Sequence, residues 1–250
     1  MEKTEKMEKV EKKFLAACRK GKLEKVIEFL QNPYLNADAK DEKNYNETPL
    51  IYACFNGHIE VVKVLLNNDR ADINLANKYN CTPLYWACQS GKFDVVKLLL
   101  RYSNLEIDSA DNYDGFTPLM NACSYGHLEI VQLFLASGRE IKLDIKANNG
   151  KTVFDLAREK AAKGRVRSAN IVELLEAFEK DPNETRAKLR EQLGLDSKIF
   201  FFFFSFFIFF LFIFLYFYIL FFYFFITFIF YFLFLFFIFF FLFFCYYLFF

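Results

Sequence analysis

Six cysteines, two histidines and a Gly-Lys-Thr triplet are the residues of this chain with the most reactive chemistry. Thiols beside imidazoles would suit zinc ligation or a nucleophile–base pair, and Gly-Lys-Thr closes the phosphate-binding loop of nucleotide hydrolases. Spacing argues against each. Cys18, Cys54, Cys88 and Cys123 hold the same place in successive copies of a repeated stretch, so they form a column. Packed helices lie about 8–10 Å apart, whereas a disulfide needs Cα atoms within about 7 Å and a zinc ion needs ligands within about 2.3 Å. Cys81 falls in a turn and Cys245 in an apolar tail, and no CxxC or paired-His spacing occurs. This is the cysteine inventory of a reduced, intracellular protein. Gly150-Lys151-Thr152 lacks the glycine that the phosphate loop requires five residues before its second Gly, where Ile145 stands. His58 and His127 each follow a turn glycine, which reads as a structural position. The expectation is a protein without catalytic residues, cofactor or metal.

The elements that position these residues come from repetition. Thr48–Leu66, Thr82–Leu100 and Thr117–Leu135 are near-copies whose starts lie 34 and 35 residues apart, a period that marks a stacked helical array. Two degenerate copies flank them. Phe14–Leu30 keeps the Ala-Cys pair and the turn Gly but is rich in lysine and arginine, as suits a terminal repeat with one wet face. Thr152–Phe178 keeps Thr152, Ala157 and an Ile-Val-Glu-Leu-Leu run, with six extra residues around Lys163–Ser168 that read as a lengthened loop.

Within each repeat, Thr48, Thr82, Thr117 and Thr152 are helix N-caps, and the Pro after the first three suits the first helical position. Gly57, Gly91 and Gly126 end that helix, and a second helix follows with apolar pairs such as Val61–Val62 and Leu65–Leu66. Two residues before each Thr stand Asn46, Asn80, Gly115 and Gly150, types that tolerate positive φ, so each repeat starts with a tight tip. The unit is tip, helix, turn, helix.

On these residues the chain resembles the ankyrin repeat family over about 165 of its 250 residues. The recurring Thr-Pro-Leu, Ala-Cys, Gly-His or Gly-Lys and Val-Val-Lys-Leu-Leu-Leu elements carry the resemblance. It implies an all-α ankyrin-repeat solenoid, with a tip hairpin plus two antiparallel helices per repeat, ahead of a Phe-rich tail. The His that usually follows Thr-Pro-Leu in the family is Ile51, Tyr85 and Met120 here, which removes a usual source of hydrogen bonds between tips. The resemblance also implies a concave face for a protein partner, formed by the tips and the exposed ends of the first helices. Those positions are Asn44, Tyr45, Glu47, Phe55 and Asn56; then Lys78, Tyr79, Cys81, Gln89 and Ser90; then Tyr113, Asp114, Phe116, Ser124 and Tyr125. Aromatic side chains dominate the energetics of many interfaces, which singles out Tyr45, Phe55, Tyr79, Tyr113, Phe116 and Tyr125, with Lys78, Gln89 and Asp114 as polar companions. The competing reading packs these rings on their own tips. Tyr52 and Trp86 stand where the family usually has Leu and are expected in the core.

The ends differ from the array. Residues 1–11 are a mixed-charge lead suited to an exposed helix, without the apolar region of a secretory signal. The repeat domain is placed at 12–180. Asp181-Pro182-Asn183-Glu184 reads as a capping box opening a linker helix over 181–198 that stops at Gly194. Residues 199–250 contain no charged residue, and 29 of them are Phe. Such a tract exceeds the roughly 20 apolar residues that cross a bilayer, and Arg186, Lys188, Arg190 and Lys198 before it would keep the repeats cytoplasmic. Its composition equally matches a T-rich stretch of DNA read in frame, so the alternative to a membrane anchor is a gene-model artefact that the natural protein lacks.

With a formal net charge of +1, nucleic acid is not an expected partner, and the basic segment Lys160–Arg167 reads as a solvated insertion loop. No small-molecule substrate is implied, and no stretch outside the array would house a catalytic domain. Two readings follow: a cytoplasmic, non-enzymatic adaptor that binds a protein partner, or a tail-anchored membrane protein that uses the same repeats as a cytoplasmic tether.

Overall fold

A computed structural model describes residues 2–67, 70–164, 166–195 and 198–249. It comprises two compact bodies, Met1–Leu193 and Gly194–Phe250. The first body holds eleven of the described helices. They are α1 (Glu2–Arg19), α2 (Leu23–Leu30), α3 (Pro49–Asn56), α4 (Ile59–Asn67), α5 (Pro83–Gln89), α6 (Phe93–Leu99), α7 (Pro118–Tyr125), α8 (Leu128–Ala136), α9 (Val153–Ala162), α10 (Val166–Lys180) and α11 (Pro182–Gln192). Odd-numbered helices α1 to α9 pack each on the next, as do the even-numbered α2 to α10, and each odd helix also packs on the even one that follows it. The result is two helical layers built from five repeats. Among the described residues no strand forms; the one bridge outside a strand joins Asp41 to Glu47 in the first tip.

Local chemistry sets the boundaries. The side chains of Thr48, Thr82 and Thr117 accept hydrogen bonds from the backbone N–H of Ile51, Tyr85 and Met120, and Pro fills the first helical position after each. Thr152 makes the same bond to Asp155, whose carboxylate accepts in return from the Thr152 N–H to complete a capping box. The tip positions Asn46, Asn80, Gly115 and Gly150 all take positive φ, between 61° and 78°.

Burial follows the repeat. Leu50, Ala53 and Cys54, with their counterparts Leu84, Ala87 and Cys88 and then Leu119, Ala122 and Cys123, are almost wholly enclosed between the layers. Val61, Val62, Leu65 and Leu66 close the core from the second helix, as do Val95, Val96 and Leu99 in the next repeat. Each large aliphatic side chain so enclosed contributes about 1.5–3 kcal/mol. Cys18, Cys54, Cys81, Cys88 and Cys123 are free, and burial pushes the Cys18 and Cys81 thiols up to about 12. Cys18, Cys54, Cys88 and Cys123 are small apolar residues at a place where helices approach closely, whereas Cys81 is buried in a tip.

Polar contacts tie each repeat to its neighbour. His58 Nε2 lies 3.1 Å from the Arg19 carbonyl and His127 Nε2 lies 3.1 Å from the Gln89 carbonyl, so each imidazole seats on the end of the preceding first helix. A Cβ on Gly91 would come within 2.5 Å of the His127 ring, so the turn glycine makes room for it. On the far side of the repeats two arginines act as clamps. The Arg70 guanidinium donates to the carbonyls of Leu30, Asn32, Pro33 and Leu35. Arg139 does the same for Tyr102, Ser103 and Leu105, at 2.6, 3.2 and 2.7 Å. Both stand 22 residues after their repeat's Thr.

Three regions differ from the sequence expectation. The six extra residues of the last repeat do not form a loop: Lys160–Ala162 extend α9 and Val166–Arg167 begin α10, with a turn at Lys163–Gly164 between them. Ion pairs from Glu159 to Lys151 and Lys163, and from Arg158 to Glu176, hold these longer helices. The helix read as a linker, α11, packs against α8 and α10 with Leu189 buried, and Arg186 and Arg190 donate to the carbonyls of Leu135 and Ala136. It closes the last interface of the array. Trp86, expected in the core, is only half-buried.

The second body is dominated by one helix, α12 (Lys198–Phe249). Its segment Ile208–Phe239, with a mean hydropathy of 2.6, is long and apolar enough to cross a membrane, and its described side chains are exposed.

Arg139→Met should lower stability by about 2 kcal/mol, the scale of hydrogen bonds from a charged donor to carbonyls. Arg139→Lys should recover little, because an ammonium lacks the planar fork. Urea unfolding monitored by circular dichroism checks both.

Candidate functional site

The tips are built around acceptor side chains. The Asp41 carboxylate accepts from the Asn44 amide at 2.7 Å and from the Tyr52 hydroxyl at 2.8 Å. Burial raises the Asp41 pKa, but these bonds and the adjacent N–H groups outweigh it and hold the carboxyl below its ordinary value. Asn77 Oδ1 accepts from the N–H of Tyr79 and Cys81, and Asp111 accepts from those of Tyr113, Asp114 and Phe116. Each tip is thereby locked by its own acceptor side chain.

Adjacent tips are then joined through the main chain. Lys78 N–H donates to the Tyr45 carbonyl at 3.0 Å, Asn112 N–H to Tyr79 at 2.8 Å, and Asn148 N–H to Asp114 at 2.9 Å. The Asn80 amide adds a bond to the Ala110 carbonyl and Asn148 one to Tyr113. These contacts supply the tip-to-tip bonding that the missing His would have provided; Ile51, Tyr85 and Met120 are buried instead. The first of these tips has two more residues between its acceptor and its Thr than the second, and both Tyr45 and Asn46 there take positive φ. For a tyrosine that backbone costs about 1–2 kcal/mol.

With carbonyls and N–H groups engaged in the tips, the side chains point outward. Tyr45, Phe55, Tyr79, Tyr113 and Tyr125 are all exposed, Tyr113 most of all at 77 %. Two groups form. At the tips, the Tyr45 and Tyr79 rings lie 5.3 Å apart, and the Lys78 ammonium sits 4.5 and 4.9 Å from their centroids. At the helix ends, the Gln89 amide donates to the Tyr125 hydroxyl at 3.3 Å, and the Tyr125 ring stacks parallel to His127 at 6.3 Å. Asp114 is exposed beside Tyr113, whereas Phe116 is half-buried. Glu47 and Cys81, placed on the face by the resemblance, are buried.

Between the two groups of positions lies a pocket that sequence reasoning missed. Arg19, Asn44, Glu47, Ile51, Tyr52, Phe55 and Trp86 line a cavity of about 130 Å³. Phe55 meets Trp86 edge to face at 5.4 Å, and the Arg19 guanidinium lies 5.4 Å over the Tyr52 ring. Arg19 could have been found: it stands in the register of Phe55 and Gln89, but in a repeat that lacks the Thr-Pro-Leu opening. Glu47 accepts from the Asn77 amide at 2.9 Å. Burial pushes its carboxyl up to about 7; the Asn77 bond opposes this and the Asp41 charge adds to it. Among the described residues no group of three or more His, Cys, Asp or Glu is placed to hold a metal ion.

Comparison with known proteins agrees with this architecture. The family model described as Ankyrin repeats (3 copies) matches residues 14–111, and that described as Ankyrin repeats (many copies) matches residues 105–157. The chain belongs to the ankyrin repeat family, whose arrays are generally modules for protein–protein interaction. No curated protein matches the chain.

The buried Glu47 carboxyl makes stability depend on pH. Its folded pKa lies above the ordinary 4.5, so the native state holds the proton more tightly than the unfolded chain, and stability falls as pH rises from about 4.5 to about 7. From this residue the protein should lose about 1–3 kcal/mol between pH 5 and pH 8. Glu47→Gln should flatten that slope, raising the melting temperature at pH 8 but not at pH 5; parallel slopes would assign the dependence to other groups.

Proposed function

We propose that the protein is a non-enzymatic adaptor that binds a protein partner through the concave face of its ankyrin stack. The observation that carries this reading is the set of exposed rings Tyr45, Phe55, Tyr79, Tyr113 and Tyr125 on rigid tips and helix ends. Rings held by a preformed scaffold lose little conformational entropy on binding. Lys78 and Asp114, of opposite charge, supply polar contacts at the rim, and Gln89 fixes the hydroxyl of Tyr125. Half-buried Phe116 supports its tip and presents one edge to the partner.

A second reading concerns location. The exposed apolar segment Ile208–Phe239 favours an integral membrane protein anchored by its tail, the repeats facing the cytoplasm as a tether. The adaptor function holds in either case; without the anchor, the repeats work in the cytoplasm.

Replacing Tyr79, Tyr113 and Tyr125 together by Ala should abolish recovery of a partner identified by cross-linking and mass spectrometry, and leave the melting temperature within a few degrees of wild type. A large drop in melting temperature would return the rings to a packing role. For the anchor, the full chain should stay in the membrane pellet through an alkaline carbonate wash; release into the supernatant would contradict it.

A further inference from the structure

The cavity beside Phe55 is apolar inside and carries one exposed charge at its rim. Ile51, Tyr52, Phe55 and Trp86 supply most of its wall. Its volume of about 130 Å³ is roughly ten times the 10–15 Å³ that one water molecule needs. The polar groups around it have little to offer an occupant. The Tyr52 hydroxyl and the Asn44 amide both donate to Asp41, and Glu47 is buried. A polar group entering there would lose hydration without full replacement, whereas an apolar one gains by leaving water.

The sign of the rim is set by Arg19, the exposed charged residue among those that line the cavity. Its guanidinium lies over the Tyr52 ring at 5.4 Å rather than against a carboxylate. None of the ion pairs among the described residues takes up Arg19, the adjacent Lys20, or Lys78, whose ammonium rests on the Tyr45 and Tyr79 rings. The acids of the adjoining tip are committed elsewhere. Asp41 accepts from Asn44, Tyr52 and the Lys43 N–H, and Glu42 is offset by Lys43 beside it. A planar guanidinium fork is matched in shape and charge by a carboxylate.

We propose that this corner of the concave face is the anchoring subsite for an acidic segment of the protein partner. A leucine or isoleucine side chain of that segment fills the cavity against Phe55 and Trp86, and a carboxylate next to it in sequence pairs with the Arg19 guanidinium. Lys20 and Lys78 add positive charge to the same face and steer the segment toward it. The proposal rests on the concave-face reading above and adds to it the chemistry of the partner.

Trp86 is the sole tryptophan of the chain, so ¹⁵N-indole labelling of the full-length protein in non-ionic detergent micelles gives one side-chain resonance, from the wall of the cavity. At about pH 6 a peptide carboxylate is ionised. Titration with N-acetyl-Glu-Leu-Glu-amide should then move the resonance saturably, with a dissociation constant in the millimolar range, about that of a small contact. The Gln-Leu-Gln and Glu-Ala-Glu counterparts should bind about tenfold more weakly, and Lys-Leu-Lys not at all. Arg19→Gln should erase the preference for Glu-Leu-Glu over Gln-Leu-Gln, and Arg19→Lys should keep part of it. Both variants preserve the Arg19 carbonyl on which His58 seats, so circular dichroism should be unchanged. The proposal is overturned by the absence of a saturable shift, by equal binding of Gln-Leu-Gln, Glu-Ala-Glu or Lys-Leu-Lys, or by a preference that survives Arg19→Gln. The same shift on concentrating the protein without peptide would assign the cavity to a second copy and overturn it too. If it fails while the tyrosine triple variant still loses its partner, the acidic-segment assignment is wrong and the concave-face reading stands. If the triple variant keeps its partner, that reading fails whatever the titration gives.

Discussion

No helix in the three central repeats exceeds nine residues. Isolated helices shorter than about 12–15 residues are marginal in water even with the best helix formers, so none of these persists on its own account. What makes them persist is that the face of each helix pair is covered by the next pair. Leu84, Ala87 and Cys88 are enclosed only because α3 and α7 lie on either side of α5. Stability here is a nearest-neighbour property, and every other feature depends on it. Small residues keep the layers close, His58 and His127 seat on the preceding repeat, and α11 closes the end where no sixth repeat follows.

That division of labour leaves the outer surface of the tips free. The core needs the Thr cap, the positive-φ residue and the acceptor that holds the turn. It makes no demand on the side chains of Tyr45, Tyr79 or Tyr113, whose main chains already complete the tip and the link to its neighbour. Rings at such places are therefore open to selection for contact with something else. They are also held at fixed spacing by bonds that do not involve the rings themselves.

Much of this was legible in the sequence because the relevant chemistry is local. A Thr three residues before the N–H it caps, an Asn or Gly where φ must be positive, and a Cys recurring where helices touch are all short-range facts. They fix repeat boundaries to within a residue or two. What stayed hidden depends on contacts between residues far apart in the chain. Arg70 and Arg139 read as ordinary surface cations until the carbonyls 34 to 40 residues earlier are brought under them. The mostly polar α11 gives no hint that Leu189 docks. Glu47 looks like one more exposed tip residue until the Asn77 of the next repeat folds over it. For Trp86, the family position pointed to the core, but the ring is too large for a leucine's place and its edge opens a cavity against Phe55.

The two arginine clamps are unevenly placed along the array. Arg70 joins the first two repeats and Arg139 the third to the fourth, but the residue in the same register between the second and third is Asn104, whose carbonyl takes a bond from the Asn74 side chain. At that boundary neutral bonds replace the clamp, Asn74 also accepting from the Glu106 N–H, and the Phe55–Trp86 contact spans the same boundary. A molecule seated in the pocket that these rings line would act as a rivet across the seam, and its effect would be felt as stiffness along the whole stack.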